Sequence, residues 1–423
     1  MDESLNSSRP AGTTPDISPD EVRAALRDYF ATRPGLDEVR RTRDGRQPSG
    51  FDESGWRTLA TDVGLCSLGM PLRWGGLGLG LDCLVAAVEE CGAALYPGPV
   101  RAAVLATWAL GEGGLGESAL GEGALGEGAL GEGALGGLND AVDLTGTIEG
   151  LLAGMVVPGS TLDTEVTEPQ SLPLWRAGAA TGVLSAVSHG VVAGLAVAEV
   201  RTDDGVAAAL VILDDSADRR SRRTVDFALP RADVTVTGAP ALLITEPGDD
   251  AALQRFRDAS TLLRAAEKVG GAQGCVSLMV EYAGVREQFG HPIGSYQAIA
   301  HRCAQTAVDV VGARGLVTAG AAALDRATFA DPDTAVHLAS LAHAAAGETY
   351  LAASSSLIQV SGGIGFTWEH DAHLHFRHAR TLAVAGGTPA EYYDRAVLDG
   401  CLDLVTSGVG GKEAVNPVEM ASG

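Results

Sequence analysis

Uninterrupted apolar runs are missing from this sequence: none reaches the roughly 18 residues that a helix needs to cross a bilayer. The N-terminal stretch MDESLNSSRPAGTTPD lacks the basic-then-apolar order of a secretory signal. A cytoplasmic location without membrane insertion is therefore expected. Positive charge is scarce. Lys and Arg number 30 against 54 Asp and Glu, and a formal net charge of -24 repels polyanions. Nucleic acid is not expected as a partner. The one basic cluster, Arg219, Arg220, Arg222 and Arg223 in DDSADRRSRRT, reads as a loop between two strands, either a solvated hairpin or a perch for phosphates. Cysteines are few and dispersed: Cys66, Cys83, Cys91, Cys275, Cys303 and Cys401 include no CxxC pair. That pattern suits reduced thiols in apolar helices, not a disulfide framework or a cysteine zinc site.

What the chain does have is apolar material. Hydrophobic residues make up 46% of 423, enough to build the cores of two or three domains. Residues 1–16 read as a disordered tail. At Ser18-Pro19-Asp20-Glu21 a capping serine, a proline at the first helical position and a glutamate three residues after the cap start the first helix. Helical patterns continue from Asp52 through GWRTLATDVGLCSL and, after the glycine-rich turn RWGGLGLG, through LDCLVAAVEECGAALY. Residues 17–150 are thus expected to form an N-terminal helical domain. Inside it, 109–137 repeat LGEGA every five residues, a period that fits neither helix nor strand, and its glycines make ordering costly. A flexible loop without chemistry is expected there.

Residues 151–248 change character. LLAGMVV, GVLSAVSHGVVAGLAVAEV, VAAALVIL, DVTVTG and ALLIT are short β-branched runs between DDG, DDS and TEP breakers, the pattern of a small β domain. The helical period returns over 249–408. Leu262, Ala266, Val269, Ala272, Val276, Met279 and Ala283 share one face, as do Cys303, Ala307, Val310, Val317, Ala321 and Leu324. A third helix starts at Asp331-Pro332, and a last one at the capping box Thr388-Pro389-Ala390-Glu391. Four helices with short links read as an antiparallel bundle, followed by a tail at 409–423. The fold class is α+β, mostly α.

Two bundle segments are specific. REQFGHPIGSYQAIAHR (286–302) and QVSGGIGFTWEHDAHLHFR (359–377) closely resemble the two C-terminal motifs of the acyl-CoA dehydrogenase family. GWRTLATDVGLCSLGMPLRWGGLGLGLDCLVAAVEECG is similar to that family's helical domain, with Pro71 and Gly75-Gly76 kept and the usual acid of that turn missing. The resemblance covers roughly residues 20–405 and implies the family's fold: N-terminal helical domain, middle β domain and C-terminal four-helix bundle. It also implies FAD as cofactor, an acyl-CoA or other acyl thioester as substrate, an electron-transfer acceptor, and assembly with itself or with a homologous subunit. A guanidinium suits pyrophosphate, and an aromatic ring three residues on can lie against adenine. The resemblance assigns these roles to Arg286 and Phe289, on a flavin bound across a subunit interface, and adds Gln297, Gln359, Gly362, Gly363 and Thr388 to the cofactor contacts. On chemistry alone, Arg286 could be an ordinary surface ion pair and Gly362-Gly363 a tight turn between helices. His370, Asp371, His373, His375 and His378 have metal-like spacing, but similar runs follow the glycines in family members that bind no metal; no metal is expected.

At the base the pattern breaks. The resemblance implies desaturation, in which a carboxylate takes the α-proton and the β-hydrogen leaves as hydride to flavin. That carboxylate usually lies in a Glu-Gly-Thr turn before the last helix; here the turn is VAGGT, with Gly386 at the acidic position. One branch of the family carries it on the first bundle helix, at the position of Ser260. Asp258 and Glu267, the nearest acids, are turned away from the direction of Ser260 by helical rotation. The family's Thr-Glu-Pro and Gly-Ser-Asp elements, which line the flavin ring, have no counterpart in GMVVPGSTLDTEV. The expected function is therefore that of an acyl-CoA dehydrogenase subunit that lacks the usual base and works with a related chain. A flavin monooxygenase of the same fold and a non-catalytic scaffold are the alternatives.

Overall fold

Ser18 starts the chain's first helix as its sequence dictates. In the computed structural model, which describes residues 14–47, 49–111, 144–163, 169–326 and 332–398, its hydroxyl accepts from the Glu21 N–H at 3.3 Å and Glu21 Oε2 accepts from the Ser18 N–H at 2.8 Å. Helices α1 (Pro19–Thr32), α2 (Gly35–Arg43), α3 (Glu53–Thr61), α4 (Leu81–Ala93), α5 (Val100–Ala109) and α6 (Leu144–Leu152) form the N-terminal layer. The N-terminal tail to residue 13, the LGEGA repeat from residue 112 on and the tail at 409–423 lie outside the described residues.

Glu38 on α2 is 5% exposed and accepts from the Asp52 N–H at 3.0 Å. Burial pushes its carboxyl up to about 7 from an ordinary 4.5. The native state therefore favours the protonated acid, so the contribution is fully present at acid pH and is lost as pH rises through about 7. A displacement of that size corresponds to on the order of 3 kcal/mol. Melting temperature should fall between about pH 4.5 and pH 7 in the parent and stay flatter in Glu38→Gln, which should be the more stable of the two above pH 7. Parallel pH profiles in a thermal-melt series would contradict this.

The middle layer is a small closed barrel. Strands β2 (Leu174–Arg176), β3 (Ala179–Ser188), β7 (Arg231–Leu243), β5 (Val206–Ile212) and β4 (Leu195–Arg201) pair in that order, and β4 returns to β2 at Leu174 opposite Arg201. The short β1 (Pro158–Ser160) adds parallel to β4. The apolar run in β4 and β5 is continuous because both faces are buried. Ala196, Ala198, Val200, Ala207, Ala209 and Val211 fill the barrel, while Leu195, Val197, Ala208 and Leu210 join the core shared with the helices. Two sequence expectations need correction. LLAGMVV begins as the end of α6, not as a strand. The arginine cluster is not a loop but strand β6 (Asp218–Arg222), paired with β7. Arg219 there spends its guanidinium on the carbonyls of Gly190, Ala193, Leu213 and Asp214, and Arg222 pairs with Asp233 at 2.7 Å.

The last layer holds three long helices, α7 (Asp250–Val285), α8 (Gln297–Arg326) and α9 (Pro332–Ser361), joined by the shorter α10 (Ala372–Ala383) and α11 (Pro389–Leu398). The end of the second motif, HLHFR, thus lies on a helix of its own. Lys268 meets His343 at 2.9 Å, and one turn further on Gly271 packs against the Tyr350 ring, where a Cβ would lie 2.3 Å from Tyr350 Cζ. Contacts in that order require α7 and α9 to run parallel, with their C-terminal ends together. No uninterrupted apolar run spans a bilayer length, yet α8 contains an eighteen-residue window apolar enough to cross a membrane by length and composition, and 33% of that window is buried.

Candidate functional site

The segment REQFG folds as a hairpin at the end of α7. Strands β8 (Glu287–Gln288) and β9 (His291–Pro292) pair, and Phe289 and Gly290 between them both have positive φ, 53° and 81°, as a two-residue type I′ turn requires. The Tyr296 hydroxyl braces this turn by donating to the Gln288 carbonyl at 2.9 Å. Left-handed backbone at a phenylalanine costs roughly 1–3 kcal/mol. It holds the ring outward, 92% exposed. Arg286 beside it is exposed, and its guanidinium makes no ion pair or hydrogen bond among the described residues. The ordinary surface ion pair is therefore not what this arginine makes within its own chain.

The QVSGGIG segment lies at the same end. Arg286 is eighteen residues beyond Lys268 and Gly362 nineteen beyond His343, so the parallel helices bring both to one level. Gln297 opens α8 there, and Arg302 on that helix reaches Ser356 of α9 at 3.5 Å. Gln359, Gly362 and Gly363 are exposed. Gly362 begins a short 3₁₀ turn with φ 64°, which favours glycine. Gly363 does not have positive φ, and a Cβ at either glycine would meet nothing within 4 Å. Neither space nor backbone inside this chain requires glycine at 363. Six of the seven predicted cofactor residues thus gather at one end of the bundle.

Thr388 does not join them. It caps α11, accepting from the Glu391 N–H and donating to Glu391 Oε2 at 2.8 Å, as its sequence predicts. The following Pro389 packs near Gly347, at the level of Lys268. A rise of 1.5 Å per residue puts that level roughly 27 Å from Arg286.

Around Thr388 the chain is closed by charge. Asp163, just after β1, is 4% exposed, and Arg101 of α5 holds both its oxygens, with Oδ2 at 2.8 Å. Arg231 reaches Oδ2 at 3.1 Å and Arg264 of α7 reaches Oδ1 at 4.0 Å. Burial opposes ionisation, yet the three guanidiniums hold the Asp163 carboxyl far below the ordinary range. Glu267 lies between Arg101 at 2.9 Å and His378 at 3.6 Å, and His378 pairs with Asp226 at 2.8 Å. Burial alone would lower the His378 imidazole; Asp226 and Glu267 outweigh it and hold it up at about 10. The predicted base positions sit in or beside this network. Gly386, φ 72°, donates its N–H to the Asp163 carbonyl at 2.9 Å, and a Cβ there would lie 2.5 Å from Arg264 Nη1. Ser260 is buried at 3% exposure, and Asp258 accepts from Gln254 at 2.9 Å. Glu267 has its pKa lowered: burial raises it, but Arg101 and His378 win. A carboxylate already paired twice and held more acidic than usual is a poor general base near neutral pH.

Sequence reading missed this network. Its signal was Arg264, Glu267 and Lys268 interrupting the apolar run of α7 between Leu263 and Val269, since such residues are rarely buried unless paired. The histidine cluster diverges. Asp371 pairs with Arg40, His375 with the Tyr350 hydroxyl at 3.1 Å and His378 with Asp226. Among the described residues no group of three His, Cys, Asp or Glu side chains is placed to hold a metal.

The residues present fit FAD at one end only. The free guanidinium, the outward ring and the open glycines suit a dinucleotide approaching from outside. On the ring side the fit fails: the β1 end and the Gly386 loop are hydrogen-bonded to each other, and the strand ends meet where Ser160 N–H donates to the Ser188 hydroxyl at 3.0 Å. A cleft near the network, about 420 Å³ of empty space including its open mouth, is lined by Val88, Tyr96, Arg101, Ser160, His189 and Glu267 among others.

Residues 250–391 match the family model of the acyl-CoA dehydrogenase C-terminal domain. Acyl-CoA dehydrogenase IpdE2 of Mycolicibacterium smegmatis is 31% identical over 346 residues, covering 82% of this chain and 88% of the relative. IpdE2 of Mycobacterium tuberculosis is 30% identical over 346 residues, with 82% and 86% covered. Among solved structures, a variant of the steroid acyl-CoA dehydrogenase Tcur3481–Tcur3483 superposes with a TM-score of 0.72 at 22% identity, covering 92% of this chain and 98% of that one. The ChsE4–ChsE5 complex of M. tuberculosis does so with 0.69 at 24%, covering 95% and 99%. At those identities the superpositions show the fold, while the IpdE2 relatives reach further: this chain belongs to the FAD-dependent acyl-CoA dehydrogenase family.

Proposed function

We propose that this chain is a subunit of an acyl-CoA dehydrogenase in which a related partner chain supplies the catalytic carboxylate and the site of the reactive flavin ring, while this chain supplies the dinucleotide end. The observation that carries the reading is the contrast between the two ends: Arg286 unpaired and Phe289 held outward, against Gly386 bonded shut beneath Arg264. Arg286 offers a planar fork to pyrophosphate, Phe289 a face to adenine, and the amides around Gly362-Gly363 a backbone lining. FAD, when bound, supplies the hydride acceptor; this chain's residues bind and orient its far end.

Assembly has support in the surface. Val280, Val285, Phe289, Ile364 and Phe366 are exposed near the cofactor end, and α8 exposes Val308 at 64% and Val311 at 63%. Apolar area of that extent favours a covering chain. A related subunit is the partner class favoured by the ChsE4–ChsE5 neighbour, which is itself a complex of two chains. The substrate is an acyl-CoA thioester, and the Tcur3481–Tcur3483 neighbour supports a steroid-derived acyl group.

Expressed alone, this chain should not catalyse acyl-CoA-dependent reduction of an electron acceptor. With a related chain that carries glutamate at either base position, activity should rise well above that of the partner alone. Loss of a general base removes about 10²–10⁴-fold, so the lone chain should show at most a trace. Robust turnover by this chain alone would overturn the reading.

A further inference from the structure

The ring side of this chain is shut by a particular side chain. Arg264 leaves α7 among Leu262, Leu263, Ala265 and Ala266, all buried, and is itself 4% exposed. Both Nη atoms are engaged: Nη1 donates to the Leu162 carbonyl, and Nη2 donates to the Thr261 hydroxyl at 2.9 Å and to the Tyr392 hydroxyl at 3.2 Å, while the buried Nε has no hydrogen-bond partner among the described residues. The guanidinium thereby ties α7 to the end of β1 and to α11, across the space between the β domain and the loop that carries the base in the wider family. Gly386 closes over it. A Cβ there would lie 2.5 Å from Nη1 and 2.6 Å from Cζ, so a side chain at 386 would force this buried guanidinium or the loop to shift.

We propose that Arg264 is a built-in plug: its guanidinium, locked under Gly386 and against Asp163, excludes the isoalloxazine ring from this chain. The missing glutamate and the buried arginine are then one feature. Glutamate at 386 cannot coexist with Arg264 in this position, so restoring the acid alone does not restore a base. The plug rests on the family reading for the meaning of the site, but not on the existence of a partner.

Two measurements on the full-length chain test it. Titration with riboflavin, which carries the ring without phosphate or adenine, should give no saturable fluorescence quenching. A double-mutant cycle then reads the contact itself. Gly386→Ala should lower Tm by several degrees in the parent, because its methyl group meets the guanidinium. In an Arg264→Ala background the same change should cost less than half as much, leaving only the strain of a positive φ. Should Arg264→Ala fail to fold, Arg264→Lys withdraws the fork while keeping a cation near Asp163 and replaces it in the cycle. Saturable one-to-one riboflavin binding by the parent, or equal Tm losses in both backgrounds, would overturn the plug. Activity with a partner chain is untouched by either result and reads the proposed function separately.

Discussion

Replacing Asp163 by asparagine should destabilise the fold by about 3–5 kcal/mol, the usual consequence of removing one partner from a buried ionic cluster. The reason is the count of charges left behind. Arg101, Arg231 and Arg264 converge on this one carboxylate, and their side chains are no more than 12% exposed. Asparagine keeps the volume and can accept one hydrogen bond, but it leaves three guanidiniums facing each other in a poorly solvated space. Lys268 shows what that space does to a cation: burial first, then Arg264 and Arg101, hold it well below its ordinary pKa. Because the Asp163 carboxyl is strongly depressed, its contribution is present at every pH above the unfolded value and fades only in strong acid. A cooperative Tm loss of several degrees at pH 7 is expected by calorimetry. A change within a degree would show that the cluster does not hold the layers together.

Arg286→Ala should act elsewhere. It touches no residue of its own chain through its guanidinium, so Tm of the isolated subunit should barely move. In the assembly with a related chain, flavin retention should fall. A bidentate charge-assisted contact is worth on the order of 1.5–3 kcal/mol, roughly ten- to hundredfold in affinity. Flavin absorbance per complex after extended dialysis checks this, and unchanged content would remove Arg286 from the cofactor site.

Much of the architecture was legible because local chemistry and global packing agree. The Ser18 and Thr388 boxes form as written, since each satisfies helix-end donors that would otherwise be exposed. REQFG and QVSGGIG stood out in the sequence because their residues are not needed by the fold: Phe289 points outward at 92% exposure and Gly363 has open space around it. RRSRR misled because charge looks like loop, whereas a strand outside the barrel that pairs on one side, with β7, tolerates arginines that bond outward or to neighbouring carbonyls. The end of α6 misled because a short apolar run has no period that distinguishes helix from strand. The buried network was illegible for a deeper reason. Absence of glutamate at 386 is visible in one dimension, but Arg264, Asp163 and Arg101 are far apart in sequence, and only the fold brings them together beside Gly386.

The flavin-to-chain ratio of this protein purified alone, read from its absorbance spectrum after reconstitution with excess FAD and gel filtration, tests the central claim most directly. An open dinucleotide face and a shut ring site predict a colourless protein that acquires flavin only when a related chain is present. One tightly held flavin per chain in the lone protein would contradict it.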